Sequence, residues 1–259
     1  MRVAGVVILL VACVLAQASA QKHKITAEQV LAHYDQALGL SELTHVKNLY
    51  IKAVQKPVPE LSPQYRGDMD CIYEADGRMR EQLFETSVVF TRGFDGKHFW
   101  TSGVGRSYPI MPWRRQDDGK NEDRHAPFNS VFVPLVPGWQ NDWKQIKLLG
   151  VFPVRGHNAF LIRATNKDGY SINLFFDTET YLLVRADVPM IFKSEANEQK
   201  RGFVSTTYWM DYRPLGKLRL PHKILQENNE IDVEAASFDV QFDERKFSPT
   251  SRIRQYTLH

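Results

Sequence analysis

Apolar and polar residues alternate at period two through much of this chain, most clearly over 145–185. There Tyr170, Ile172, Leu174 and Phe176 alternate with smaller or polar residues. Turn-forming residues bound the runs: Gly150 and Gly156 at the start, 166–169 in the middle, and 177–180 before 181–185. Period two bounded by Gly, Asp and Asn marks antiparallel hairpins with one buried face. The same rhythm predicts strands over 46–54, over 65–73 and 78–84 about Ala75-Asp76-Gly77, and over 87–94 and 97–101 about Asp95-Gly96. Asp-Gly between apolar runs is a strong hairpin signal. Another hairpin is predicted from 203–212 and 219–226 around Pro214-Leu215-Gly216. In the last strand, 230–242, Ile231, Val233 and Ala235 share one parity, whereas Ala236, Phe238, Val240 and Phe242 share the other. That change of phase predicts a bulge near Ala235 and Ala236.

Helical spacing is clear only once. Thr26-Ala27-Glu28-Gln29 forms a capping box; Val30, Leu31, Tyr34 and Leu38 follow on one face, and Gly39 stops the helix. One more turn is expected over 41–45. Residues 102–142 break the strand rhythm. They hold Pro109, Pro112, Pro127, Pro134 and Pro137, and a charged cluster from Arg114 to Arg124. Trp113, Phe128, Val131, Phe132, Leu135 and Trp139 make this stretch too apolar for a disordered loop. It reads as an excursion with a solvated tip, its flanks folded over the sheet, and a short helix or strand over 129–135.

These elements predict a mainly β protein: an open antiparallel β-barrel or strongly curved sheet, with an N-terminal helix and a lid-like excursion on its concave side. The first 20 residues read as a secretory signal peptide, with Arg2 ahead of an apolar run and Ala18-Ser19-Ala20 before Gln21. A rival reading takes Leu10-Val11-Ala12-Cys13 as a lipoprotein signal and Cys13 as an acylated anchor. The apolar run continues past Cys13, which favours cleavage after Ala20. The remainder, 21–259, is expected to be one domain. Without the leader, Cys71 is the only cysteine, so no internal disulfide is available and the core must hold the fold. The net charge is +3, and nothing in the sequence resembles a nucleic-acid footprint, which needs a clustered basic face.

Candidate chemistry is sparse. There is no HExxH, GxSxG, P-loop or paired CxxC, and the histidines lack ligand spacing. Asp68 and Asp70 share a strand face, but a solvated face explains them better than a metal site. Lys120 within the acidic run 117–123 and Arg124 directly after it argue against calcium. No catalytic residue, metal ligand or cofactor is predicted. The surplus is aromatic. Leu174-Phe175-Phe176 and 204–212 carry apolar residues on both parities, so some of these side chains should line an apolar cavity or lie under the excursion. The candidates are Phe90, Phe94, Trp100, Trp113, Phe132, Trp139, Phe175, Phe176 and Trp209.

In order and spacing, three blocks resemble the periplasmic lipoprotein-carrier family, the LolA/LolB-like outer-membrane lipoprotein-sorting proteins. The first is the capped helix at 26–39. The second comprises Leu149-Gly150, Val154-Arg155-Gly156, Asp168-Gly169 and Phe176-Asp177-Thr178-Glu179-Thr180 before Leu182-Leu183. The third comprises Asp211-Tyr212-Arg213, Gly216, Leu220-Pro221 and the stretch 242–247. The resemblance implies a half-barrel with a hydrophobic cavity for acyl chains and no catalysis. It also implies noncatalytic transport of a lipid or lipoprotein acyl chain in the bacterial periplasm, with transient contacts to membranes or envelope proteins and none to nucleic acid. The alternative expectation is an envelope sensor or protein-interaction module built on the same half-barrel. A hydrolase is the third, needing an acid–base pair that the sequence does not display. The family's lid is helical, whereas 102–142 is rich in proline, and Gly39-Leu40 stands where the family has Gly-Gly.

Overall fold

The computed structural model describes residues 25–43, 45–58, 66–85, 88–97, 99–105, 111–115, 130–136, 138–167, 169–193, 200–216, 218–243 and 247. The expected leader at 1–20, with Cys13, and the charged stretch beyond Arg115 lie outside them.

Helix α1 (Ala27–Leu38) starts at N-cap Thr26. The Gln29 backbone N–H donates to Thr26 Oγ1 at 3.2 Å, and the Thr26 N–H donates to Gln29 Oε1 at 2.9 Å. Val30, Leu31, Tyr34 and Leu38 fall on the buried face, as the spacing predicts. Gly39 ends the helix at φ 81°, a conformation that costs glycine least, and its N–H caps the Asp35 and Gln36 carbonyls. A 3-10 turn, Leu40–Leu43, follows.

The strands are β1 (Asn48–Pro57), β2 (Gly67–Glu74), β3 (Met79–Glu85), β4 (Val88–Phe94), β5 (Phe99–Gly105), β6 (Met111–Arg115), β7 (Trp143–Val154), β8 (His157–Asn166), β9 (Ser171–Asp177), β10 (Leu183–Lys193), β11 (Lys200–Leu215), β12 (Leu218–Gln226) and β13 (Asn229–Phe238). All pair antiparallel in one sheet of order β6-β5-β4-β3-β2-β1-β13-β12-β11-β10-β9-β8-β7. The sheet is therefore two meanders, β1–β6 and β7–β13, joined where β1 pairs with β13.

This order corrects the expected barrel. Among the described residues the sheet ends in two unpaired edges, β6 and β7, and it is neither closed nor strongly curled. A barrel needs its end strands paired, with tilt and shear in agreement. Period-two alternation establishes antiparallel pairing and one buried face; it carries no information about coiling between strands. The excursion is corrected as well. Its beginning continues the sheet as the end of β5 and as β6, and its end forms two 3-10 turns, Val133–Leu135 and Trp139–Asp142, packed on the core.

The expected bulge lies one residue before Ala235. Lys52 pairs with Ala235 and Ala53 with Val233, which leaves Glu234 as the extra residue. The main core lies where α1 and the two 3-10 turns meet one face of the sheet, called here the inner face. Tyr34, Phe132, Leu135, Phe176 and Ile224 are fully buried there. A smaller cluster on the reverse face joins Val154, Ala159, Leu161 and Phe175, with Val184 and Tyr208 against it.

Candidate functional site

The segment 130–142 is fastened to the inner face by hydrogen bonds from several directions. Trp209 Nε1–H donates to the Val131 carbonyl at 2.8 Å, and the Tyr34 hydroxyl donates to the Pro134 carbonyl at 2.9 Å. Gln140 Nε2 donates to Asp35 Oδ1 at 2.8 Å. Aromatic rings fill the space between. Phe176 and Trp139 sit edge-on to Tyr34, with ring centroids 5.1 and 6.2 Å away. What remains open beneath the segment is a cavity of about 20 Å³, edged by Trp139, Leu174, Val188 and Trp209. That is room for one water molecule and not for an acyl chain. The Trp139 indole N–H is buried there without an acceptor.

Beside this filled region the inner face of the first meander opens. Pairing places Tyr73, Met79, Glu81, Leu83, Phe90, Arg92 and Phe94 on the same face, which is also that of Cys71 and Met69. Glu81 is a carboxylate at 3% exposure among apolar neighbours. Its Oε1 accepts from the Tyr73 and Ser130 hydroxyls, and its Oε2 accepts from Arg92 Nε. The two hydroxyl oxygens are 2.8 Å apart, and the Phe132 N–H donates to Ser130 Oγ at 3.2 Å. A buried charge persists only when paired and hydrogen-bonded, and here both oxygens are occupied. Next to this cluster is a cavity of about 330 Å³, walled by Met69, Leu83 and Phe90, with Gln55, Glu81, Gln82, Thr91, Arg92, Ser102 and Gln226 as polar groups. That volume lies in the ligand-pocket range, and its lining is mixed, with three apolar residues and seven polar ones.

Among the described residues the arrangement offers no acid–base pair. Glu81 is saturated, burial pushes the Cys71 thiol well above its usual range, and burial first and the Glu81 charge second do the same to Tyr73. Asp70 accepts from the Tyr50 hydroxyl at 2.7 Å, while Asp68 is exposed. Among the described residues no three His, Cys, Asp or Glu side chains gather as a metal site.

The aromatic candidates separate into four places. Phe132, Trp139, Phe176 and Trp209 meet in the core under the 130–142 segment. Phe90 forms a wall of the open cavity at 44% exposure, and Phe94 packs partly buried on the core. Phe175 faces the reverse side under Arg185, and Trp100 lies over Gly93 on the reverse face, its Nε1 donating to the Phe247 carbonyl at 3.0 Å. Trp113 is in β6, and its side chain is outside the described residues. Sequence reasoning missed Glu81, Arg92 and Ser130. The available signal was parity: Glu81 alternates with Met79 and Leu83, and a carboxylate on an apolar face requires partners.

No sequence-family model matches the chain, and no curated protein resembles it in sequence. Solved structures do resemble it in fold. A candidate outer membrane lipoprotein-sorting protein domain from Vibrio parahaemolyticus superposes with a TM-score of 0.55 at 11% identity, over 86% of this chain and 97% of that one. A LolA superfamily protein from Nitrosomonas europaea gives 0.52 at 11% identity, over 86% and 97%. A DUF1329 family protein from Desulfovibrio piger gives 0.52 at 13% identity, over 84% and 96%. The fold thus resembles that of a LolA superfamily protein and of an outer membrane lipoprotein-sorting protein domain, in line with the resemblance of the sequence motifs.

Proposed function

We propose that this chain is a noncatalytic carrier of the bacterial envelope, exported to the periplasm, that binds a lipid or the acyl part of a lipoprotein. The observation that carries this reading is the cavity of about 330 Å³ on the inner face of β2–β4. Its wall of Met69, Leu83 and Phe90 suits methylene groups, each worth ~0.8 kcal/mol when buried. Its polar side presents Gln55, Gln226 and the partly exposed Arg92 guanidinium, which suit the ester or headgroup oxygens of the same ligand. A longer chain reaches Phe132, Trp139, Phe176 and Trp209 only after the 130–142 segment lifts and those hydrogen bonds open. The fold type supports the reading.

The test is mass spectrometry of lipids that co-purify with the chain from Gln21 onward, isolated from its own envelope without detergent. A stoichiometric lipid or acylated peptide is expected, displaced by an apolar fluorescent probe. A protein that is empty and takes up no such probe overturns the carrier reading. If that protein also holds a stable protein partner, the sensor or interaction-module reading takes its place.

A further inference from the structure

The β7–β8 hairpin stands apart from everything above. Among the described strands β7 is an edge, paired only with β8. Residues 143–166 hold Lys144, Lys147, Arg155 and Arg163 and not one Asp or Glu, so this hairpin carries more positive charge than the net +3 of the whole chain. Three large apolar side chains face solvent here, Leu149 at 41% exposure, Val151 at 52% and Phe152 at 42%; Phe90, Phe203 and Val204 do so elsewhere. Val151 and Phe152 have opposite parity, so each face of the hairpin presents an exposed apolar side chain. Arg155-Gly156 closes that end with both residues at positive φ, 48° and 87°, which makes a tight two-residue turn that projects without a loop. The nearby acids are engaged: Asp177 accepts from the Glu179 and Thr180 backbone N–H groups, and Asp187 is paired with Arg185. Glu179 is the exposed acid of the neighbouring turn.

We propose that the β7–β8 hairpin docks this protein on an anionic lipid bilayer, with Leu149, Val151 and Phe152 entering the interface and the four cations meeting lipid phosphates. The edge itself disfavours the obvious competitor, a partner strand. β7 is broken by register shifts at Trp143/Gln145 and Leu148/Gly150, and Pro153 has no N–H to offer. Such features protect an edge from strand addition. A bilayer requires side chains and charge rather than a regular ladder, and those are what the hairpin presents. This surface is separate from the cavity on β2–β4, and the inference does not rest on the carrier reading.

The experiment is co-sedimentation of the chain from Gln21 onward with vesicles of phosphatidylcholine alone or mixed with phosphatidylglycerol, at low and high salt. Binding to the anionic vesicles that falls with salt is expected. Each hairpin cation removed should weaken it about fivefold, since a cation near an anionic surface contributes about 1 kcal/mol. K147E/R163E should therefore abolish it, whereas K52E/K97E, equal in charge but on other exposed positions, should retain part of it. V151S/F152S should weaken it at every salt concentration. Melting curves of the variants separate lost docking from lost folding. Equal binding to neutral vesicles, equal loss in both charge-reversal pairs, or no binding at all overturns the proposal. A dimer that V151S/F152S dissociates, with no vesicle binding, would assign this surface to a second copy instead.

Discussion

The two meanders share one sheet and one inner face but are built differently. Against β8–β12 the inner face is filled: Phe132, Trp139, Phe176 and Trp209 interlock with α1, and about 20 Å³ is left. Against β2–β4 the same face carries a saturated carboxylate, a partly exposed guanidinium and about 330 Å³ of open space. Ser130, at the start of the segment that covers the filled half, joins them, as do Gln226, which lines both cavities, and the Tyr73 ring against Phe132. The filled half is where the chain stores its stability, and the open half is where it can accept another molecule without unfolding first.

The sharpest way to break this comparison is to open the filled half. Phe132→Ala removes a fully buried ring and should cost about 3–5 kcal/mol in denaturant unfolding. Its cavity is lined by apolar side chains, so the variant should also gain binding of a small apolar probe such as benzene. A cost near zero would mean that the segment does not close the core.

The open half should respond through its charges. Glu81→Leu leaves the Tyr73 and Ser130 hydroxyls and Arg92 without their acceptor and should cost about 2–4 kcal/mol. The double variant E81L/R92M removes the cation as well and should recover part of that loss. The shortfall from additivity, measured by unfolding of all four proteins, gives the coupling. Strict additivity would show that the two groups act independently despite their contact.

How far the sequence anticipates this difference depends on what each feature needs. The helix cap at Thr26, the Asp76-Gly77 and Asp95-Gly96 turns and the bulge beside Ala235 were legible, because each is decided by residues within a few positions. The coiling of the sheet was not, because it depends on geometry between strands. β10 was foreseen only at its start, 181–185, and runs to Lys193 past Pro189, a residue that argues locally against a strand. The Tyr73–Glu81–Ser130 cluster joins positions 8 and 49 apart, and nothing local predicts that meeting. The aromatic candidates were read as one group because the pattern shows apolar content; only register shows that Phe175 and Trp100 turn away from Phe176 and Phe132.

The reverse face of the open half offers a smaller perturbation. A Cβ on Gly93 would run into the Trp100 indole, which is held by the Phe247 carbonyl. Gly93→Ala should therefore cost about 1–3 kcal/mol through displacement of a packed ring. The tryptophan emission should shift to the red as that ring gains water. Cavity binding should be unchanged, because the inner face is untouched; a loss of probe affinity would mean that the two faces are coupled through β4.

The smallest effect lies on α1 and has a sign that depends on pH. Burial raises the Asp35 pKa above the ordinary 3.8, and the hydrogen bond from Gln140 offsets this only in part. A raised native-state pKa means that the folded protein binds this proton more tightly than the unfolded chain does. The group's stabilising contribution is then fully present below the unfolded pKa and is lost as pH rises through the folded one. At neutral pH the buried charge is a net cost that Asp35→Asn removes. The variant should be more stable than the parent by less than about 1 kcal/mol near neutrality, and this advantage should shrink as the pH falls through the native pKa. An advantage that instead grows in acid would mean that Gln140 holds the carboxylate in its charged form, and that the filled half is fastened by that charge.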